Sequence, residues 1–168
     1  TSRVLSGYSD VIVMRHPLAG SVAEFAEASR VPVINGGDGD NEHPSQALLD
    51  LFTIKKELES HSKEIDTARI ALIGDLKFGR AAHSLCKILM LYTNISIKLV
   101  SPDKLKLPDF LISEFKKKNI SILETQDIKE GIADVDIIYM TRIQEERFDN
   151  VSEANKYKGL MSLNQEIY

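Results

Sequence analysis

The chain has a single cysteine, Cys86, in 168 residues, so it cannot close an internal disulfide and its expected home is a reducing compartment. The setting Ser84-Leu85-Cys86-Lys87-Ile88 reads as a helix face, where a thiol is buried and inert rather than nucleophilic. No apolar run is long enough to cross a bilayer. Residues 1–10 lack the basic head and apolar stretch of a secretory signal. A basic excess is missing too: 21 Lys and Arg face 25 Asp and Glu, a formal charge of -4, which argues against a nucleic-acid surface. Gly-x-Gly-x-x-Gly, the P-loop and Gly-x-Ser-x-Gly are all absent, which discounts a dinucleotide, a Walker-type nucleotide site and a serine-hydrolase elbow. One cysteine and four scattered histidines offer no metal-ligand spacing. The expectation is a cytoplasmic protein with no cofactor or metal, no membrane and no nucleic acid.

What is present is an alternation of strand and helix signals over a composition that is 43% hydrophobic. Asp10–Met14 and Val31–Ile34 read as strands, and Ser21–Arg30 between them as a helix. Asn35–Glu42 is a Gly- and Asp-rich loop. A helix is predicted from Pro44 to Leu58, with Leu48, Leu51, Phe52 and Leu58 spaced for burial. Beyond the polar segment 59–67 the alternation resumes: strands at Arg69–Ile73, Ile95–Val100, Ile120–Leu123 and Val135–Met140, helices at Arg80–Tyr92, Pro108–Lys118 and Ile128–Ala133. Short links between alternating elements imply parallel sheets with right-handed crossovers. The fold expected is therefore α/β in two lobes, each a parallel sheet flanked by helices: residues 1–58, a link at 59–67, and residues 68–168. The first lobe has two strands, too few to close a core, and is incomplete. The tail from Asn150 to Tyr168 carries weak signals. The run Lys116-Lys117-Lys118 is a solvated, dipole-favoured helix end.

Ligands of open α/β sheets collect at the carboxyl ends of strands. Four polar clusters fall there: Arg15 with His16, His43 with Gln46, Lys77 with Arg80, and Arg142 with Gln144. One arginine after a strand is usually just solvated. Three at strand exits of an acidic chain suggest a site for small anions, because guanidinium forks grip phosphate and carboxylate with two parallel bonds. His16 before Pro17 reads as structural, His61 as exposed, and His83 as packed or solvent-facing. His43 is different. Pro44 suits the first helical position, which sets His43 where free backbone N–H groups and the positive dipole end converge. A cation is disfavoured there, so the imidazole stays neutral and can donate to a substrate carbonyl.

Taken together, Val13-Met14-Arg15-His16-Pro17, the stretch Asn35–Leu51 centred on His43-Pro44-Ser45-Gln46, Gly74-Asp75-Leu76-Lys77-Phe78-Gly79-Arg80 with His83-Ser84-Leu85, and Tyr139–Phe148 resemble the aspartate carbamoyltransferase family, in order and in spacing. The resemblance implies a transcarbamoylase-like fold and transfer of the carbamoyl group of carbamoyl phosphate to the amine of L-aspartate. The products would be N-carbamoyl-L-aspartate and phosphate, early in pyrimidine synthesis. It implies that Arg15 binds the phosphate, that His43 donates to the carbonyl oxygen and that Gln46 contacts the carbamoyl amide. Arg80, Arg142 and Gln144 would hold the aspartate carboxylates. No metal or organic cofactor is implied, and the assembly implied is a homotrimer, in many microbes joined to a separate zinc-containing regulatory chain.

The 168 residues correspond to about the middle of a family member. The upstream Ser-Thr-Arg-Thr phosphate loop, the loop lent by a neighbouring subunit, the downstream His-Pro-Leu-Pro-Arg element and the closing C-terminal helix are not among them. The piece as written is expected to bind carbamoyl phosphate poorly and to turn over little. Two other readings stand beside the first. Ornithine carbamoyltransferases share the His-Pro-Ser/Thr-Gln element, but need a pocket for a cation where this chain offers Arg80 and Arg142. A non-catalytic module that keeps the fold is the other. Asp40 and Glu42 add negative charge where the family more often has Ser and Gln, and would weaken anion binding unless they face outward.

Overall fold

Ile70, Ala71, Leu72 and Ile73 are each completely buried, as expected of a strand covered on both faces. In the computed structural model, which describes residues 1–148, 150, 155–157, 159 and 161, this strand is the pivot of the fold. The elements run α1 (Ser2–Leu5), β1 (Ile12–His16), α2 (Ser21–Glu27), β2 (Val33–Asp38), α3 (Pro44–Ser60), β3 (Arg69–Ile73), α4 (Arg80–Leu89), β4 (Ser96–Val100), α5 (Asp109–Lys117), β5 (Ser121–Thr125), α6 (Ile128–Ile132) and β6 (Ile137–Met140). β3 lies inside a parallel sheet of order β5-β4-β3-β6, with Ile70 opposite Ile97 on one side and Ile137 on the other. Leu85, Leu89, Leu111 and Phe115 of α4 and α5 form the core on one face. Ala71, Ile73, Val100 and Ile128 make a smaller cluster with Ile132 and Ile138 on the other. Each large aliphatic side chain removed from water there contributes about 1.5–3 kcal/mol. The α/β architecture with parallel sheets flanked by helices is the one the alternation predicted.

β1 and β2 pair in parallel as a separate two-stranded sheet, with a register irregularity between Met14 and His16. β2 extends to Asp38, through Gly36 and Gly37, where the sequence suggested loop from Asn35. Pairing of His16 with Asp38 carries the strand past the glycines. Val13 and Ile34 are cross-strand partners, and both meet water, Val13 at 70% of its surface.

α3 corrects one expectation. Its buried stripe is Ala47, Ile54 and Leu58, with Leu51 half-buried against the same core, a spacing of four, three and four residues that keeps one helix face. Leu48 and Phe52, expected inside, are 59% and 62% exposed. The reason is the direction of docking: α3 lies against α4 of the larger sheet, and at its start the Glu42 carboxylate pairs with Lys87. That pairing sets a lysine cation against one of the two acidic side chains of the loop.

The polar segment after α3 is ordered. The helix runs to Ser60, and Ile65–Thr67 forms a 3-10 turn with Ile65 buried. Lys63 and Arg69 both pair with Asp136. Burial pushes that carboxyl up, but the two cations and the Arg69 N–H outweigh it and hold it at about 2. Cys86 is fully buried, and burial pushes its thiol up to about 12, so it is inert at neutral pH. His61 is exposed. Among the described residues no helix is long and apolar enough to cross a membrane.

Candidate active site

The loop after β2 is organised by one buried carboxylate. Asp38 accepts from Asn35 Nδ2 and Asn41 Nδ2, each at 3.0 Å, from the Gly20 N–H at 2.9 Å and from the Glu42 N–H at 3.2 Å. Burial raises its pKa, yet the two amides and two backbone donors prevail and hold it below the ordinary carboxylate value. No residue pattern signals this role for an aspartate in a glycine-rich stretch. Its effect is to fix Gly37 and Gly39 beside the start of α3.

His43 caps α3. Its Nδ1 accepts from the Gln46 N–H at 3.3 Å, with the Ser45 hydroxyl at the same distance. An Nδ1 that accepts leaves the ring proton on Nε2, the tautomer that can donate outward. Burial first, and then the cations Arg80 and Arg15, push the imidazole below its ordinary value. The neutral donor inferred from the Pro44 position therefore has a structural basis. His83 is buried, and its Nε2–H donates to the Leu76 carbonyl at 2.7 Å, a packed histidine. His16 Nδ1 accepts from the Leu18 N–H at 3.1 Å, the bonded strand-end residue anticipated.

Arg80 opens α4 and reaches across to the other sheet, where its Nη1 donates to the Gly39 carbonyl. A Cβ built on Gly37 would stand 3.4 Å from both Arg80 Cζ and His43 Cδ2. The guanidinium and the imidazole edge thus converge on one backbone position that lacks a side chain. Arg15, His16, Pro17, Gly39, Arg80 and Arg147 line a cleft of about 400 Å³ at this place. Burial, then Arg15 and Arg147, lower the Arg80 pKa against the pull of Asp38 and Asp40. It stays a cation, and the direction records three guanidinium groups crowded round one space. Asp40, exposed on the same loop, offsets part of that charge.

Four of the anticipated residues lie outside the described lining of this cleft: His43, which meets Arg80 at Gly37, and three others. Gln46 turns along α3 and donates from Nε2 to Asp50 at 2.9 Å. Arg142 pairs with Glu146 four residues on and borders a separate hollow with Thr141 and Ile143. Gln144 is held by its backbone N–H, which donates to Asp75 Oδ2 at 3.0 Å. Asp75 also accepts from the Phe78 N–H, so one buried carboxylate ties together the segments leaving β3 and β6. The third arginine of the cleft is Arg147, which sequence reasoning passed over. Its setting, Glu145-Glu146-Arg147, reads as a solvated charge run.

Residues 1–56 match the aspartate/ornithine carbamoyltransferase carbamoyl-P binding domain, and residues 66–167 match the Asp/Orn binding domain of the same family. The chain belongs to the aspartate/ornithine carbamoyltransferase family. Among its relatives, the aspartate carbamoyltransferase catalytic subunit of Cellvibrio japonicus is 61% identical over all 168 residues, which make up 50% of that protein. The subunit of Saccharophagus degradans is 57% identical with the same coverage. Of solved carbamoyltransferase structures, the catalytic subunit of M. jannaschii aspartate transcarbamoylase superposes with a TM-score of 0.86 at 45% identity, covering 99% of this chain and 53% of that one. The Trypanosoma cruzi aspartate transcarbamoylase in complex with carbamoyl phosphate gives 0.85 at 37%, covering 99% and 54%. The chain spans about half the length of the carbamoyltransferases it matches.

Proposed function

We propose that the intact protein transfers the carbamoyl group of carbamoyl phosphate to the amine of L-aspartate, giving N-carbamoyl-L-aspartate and phosphate for pyrimidine synthesis. The observation that carries this reading is the convergence of His43 and Arg80 on Gly37, with Arg80 also lining a cleft that it shares with Arg15. The names of the relatives support it, and so do the complexes of the T. cruzi enzyme with carbamoyl phosphate and with aspartate.

In this reading residues 1–58 serve carbamoyl phosphate, residues 68–168 serve aspartate, and 59–67 join them. Arg15 holds the phosphate dianion. His43 donates from Nε2 to the carbonyl oxygen, and Gln46 accepts from the carbamoyl amide. Arg80, Arg142 and Gln144 take the aspartate carboxylates, with Arg142 leaving Glu146 to do so. The aspartate amine attacks the planar carbonyl carbon and charge builds on its oxygen. A C–N bond forms, the C–O bond to phosphate breaks, and the departing phosphate takes the amine proton. No protein nucleophile is needed. A preorganised donor such as His43 stabilises the developing oxyanion by about 3 kcal/mol. Holding two mutually repelling anions in line supplies much of the rest. The protein works in the cytoplasm, without metal or organic cofactor, as a trimer, with or without a regulatory chain.

The test is product formation by the intact protein given carbamoyl phosphate with aspartate or with ornithine. Carbamoyl-aspartate alone is expected, since Arg15, Arg80 and Arg147 together repel a cationic side chain. Carbamoyl-ornithine alone, or no product, overturns the proposal.

A further inference from the structure

Asp50 sits one helical turn beyond Gln46 on α3 and uses its two carboxylate oxygens for two different elements. Oδ1 accepts from Gln46 Nε2 at 2.9 Å, and Oδ2 accepts from the Tyr139 hydroxyl of β6 at 2.8 Å. An ionised carboxylate only accepts. The Gln46 carboxamide must therefore turn its NH₂ to Asp50, which keeps Oε1 as its acceptor end. An unrestrained glutamine has no such preference, because its two ends have nearly the same shape. Tyr139 is half-buried, and its hydroxyl stakes the carboxylate from the far side. β6 ends one residue later, at Met140, and runs straight into Thr141, whose hydroxyl donates to the carbonyls of Ile73 and Asp75, and then into Arg142.

We propose that Asp50 and Tyr139 are positioning residues that orient the Gln46 carboxamide, so that an oxygen and not an NH₂ meets the amide of a carbamoyl group. They thereby make the site selective for carbamoyl phosphate over acyl phosphates that lack an N–H. This rests on the reading of Gln46 given above. It adds a source of selectivity and a hydrogen-bonded link from β6 to the carbamoyl side of the site.

The test uses the intact protein and two probes, carbamoyl phosphate and acetyl phosphate, which differ by NH₂ against CH₃. Asp50→Asn keeps the shape and can still accept from Tyr139, but it can either donate to or accept from Gln46. It is expected to weaken carbamoyl phosphate about tenfold and leave acetyl phosphate within about twofold. Tyr139→Phe acts in the same direction, about threefold, and carries the test alone if Asp50→Asn does not fold. In the double variant Gln46→Ala with Asp50→Asn, the loss should be no larger than for Gln46→Ala by itself. Equal weakening of both acyl phosphates, or additive losses in the double variant, overturns the proposal. If Gln46→Ala is harmful and Asp50→Asn harmless, the relay alone falls. If Gln46→Ala leaves carbamoyl phosphate affinity intact, the role of Gln46 falls and the relay with it.

Discussion

The backbone N–H of His43 donates to the Ser84 hydroxyl across 2.9 Å, joining residues 41 apart in the chain. Ser84 is buried in the first turns of α4, so the cap of one helix is fastened to the flank of another. His43 therefore reports the docking of α3 on α4 as well as its own local geometry. Ser84→Ala leaves a partly buried donor without its acceptor, at a cost of about 1–3 kcal/mol. The expected result is a lowered Tm together with a raised carbamoyl phosphate KM. Thermal denaturation and steady-state kinetics on the same preparation check both.

His43→Ala removes the outward donor while the Gln46 N–H loses only a cap. The expected fall in kcat is about 10²- to 10³-fold with a much smaller change in the aspartate KM. Steady-state kinetics with each substrate varied in turn measures the split, and a loss confined to KM would exclude a role in the transition state.

Arg142 and Arg15 should separate the two substrates. Arg142→Ala is expected to raise the aspartate requirement at least tenfold more than the carbamoyl phosphate requirement, and Arg15→Ala to do the reverse. Equal effects of Arg142→Ala on both would count against its assignment to the aspartate carboxylate.

Stability should fall in two separate steps on acidification. His43 and His83 are both held below the ordinary 6.5, chiefly by burial. Below pH 6.5 the unfolded chain takes up protons that the folded one refuses, so stability is level above 6.5 and declines as pH drops toward the folded values. Asp136, held at about 2 against an ordinary 3.8, contributes stability that is full above 3.8 and is lost between 3.8 and 2. Asp38 is lowered too and acts in the same sense. His83→Gln should shrink the upper step to the share of His43 and leave the lower one, as read by Tm against pH.

Gly74 follows β3 with φ at +118°, and a Cβ there would collide with the Thr141 carbonyl. Gly74→Ala is expected to cost about 1–3 kcal/mol from backbone strain alone. It should also displace the segment from Thr141 to Gln144, raising the aspartate KM beyond what the loss of folded protein explains.

The residues differ in how openly they announced these roles. β3 was legible to the residue because its aliphatic run is buried on both faces and needs no partner to be recognised. His43 was legible because Pro44 fixes a helix start, although the causes that lower its pKa, burial and then Arg80 and Arg15, are set by the fold. β2 ran past its predicted end because Gly36-Gly37 reads as a turn unless the pairing with β1 is known. The exposed face of α3 was misread because its leucines offer two apolar stripes, and only docking on α4 selects the one through Ala47, Ile54 and Leu58. Arg147 and the link from Asp50 to Tyr139, 89 residues apart, lay beyond any spacing argument. Contacts at that distance are products of the fold.

Arg15 lies on β1 and Gly39 follows β2, while Arg80 springs from the start of α4 beside the larger sheet and grips the Gly39 carbonyl. An anion held by Arg15 and Arg80 at once acts as a clasp between the two sheets: the tighter it binds, the more firmly it closes the join that Arg80 already makes to Gly39.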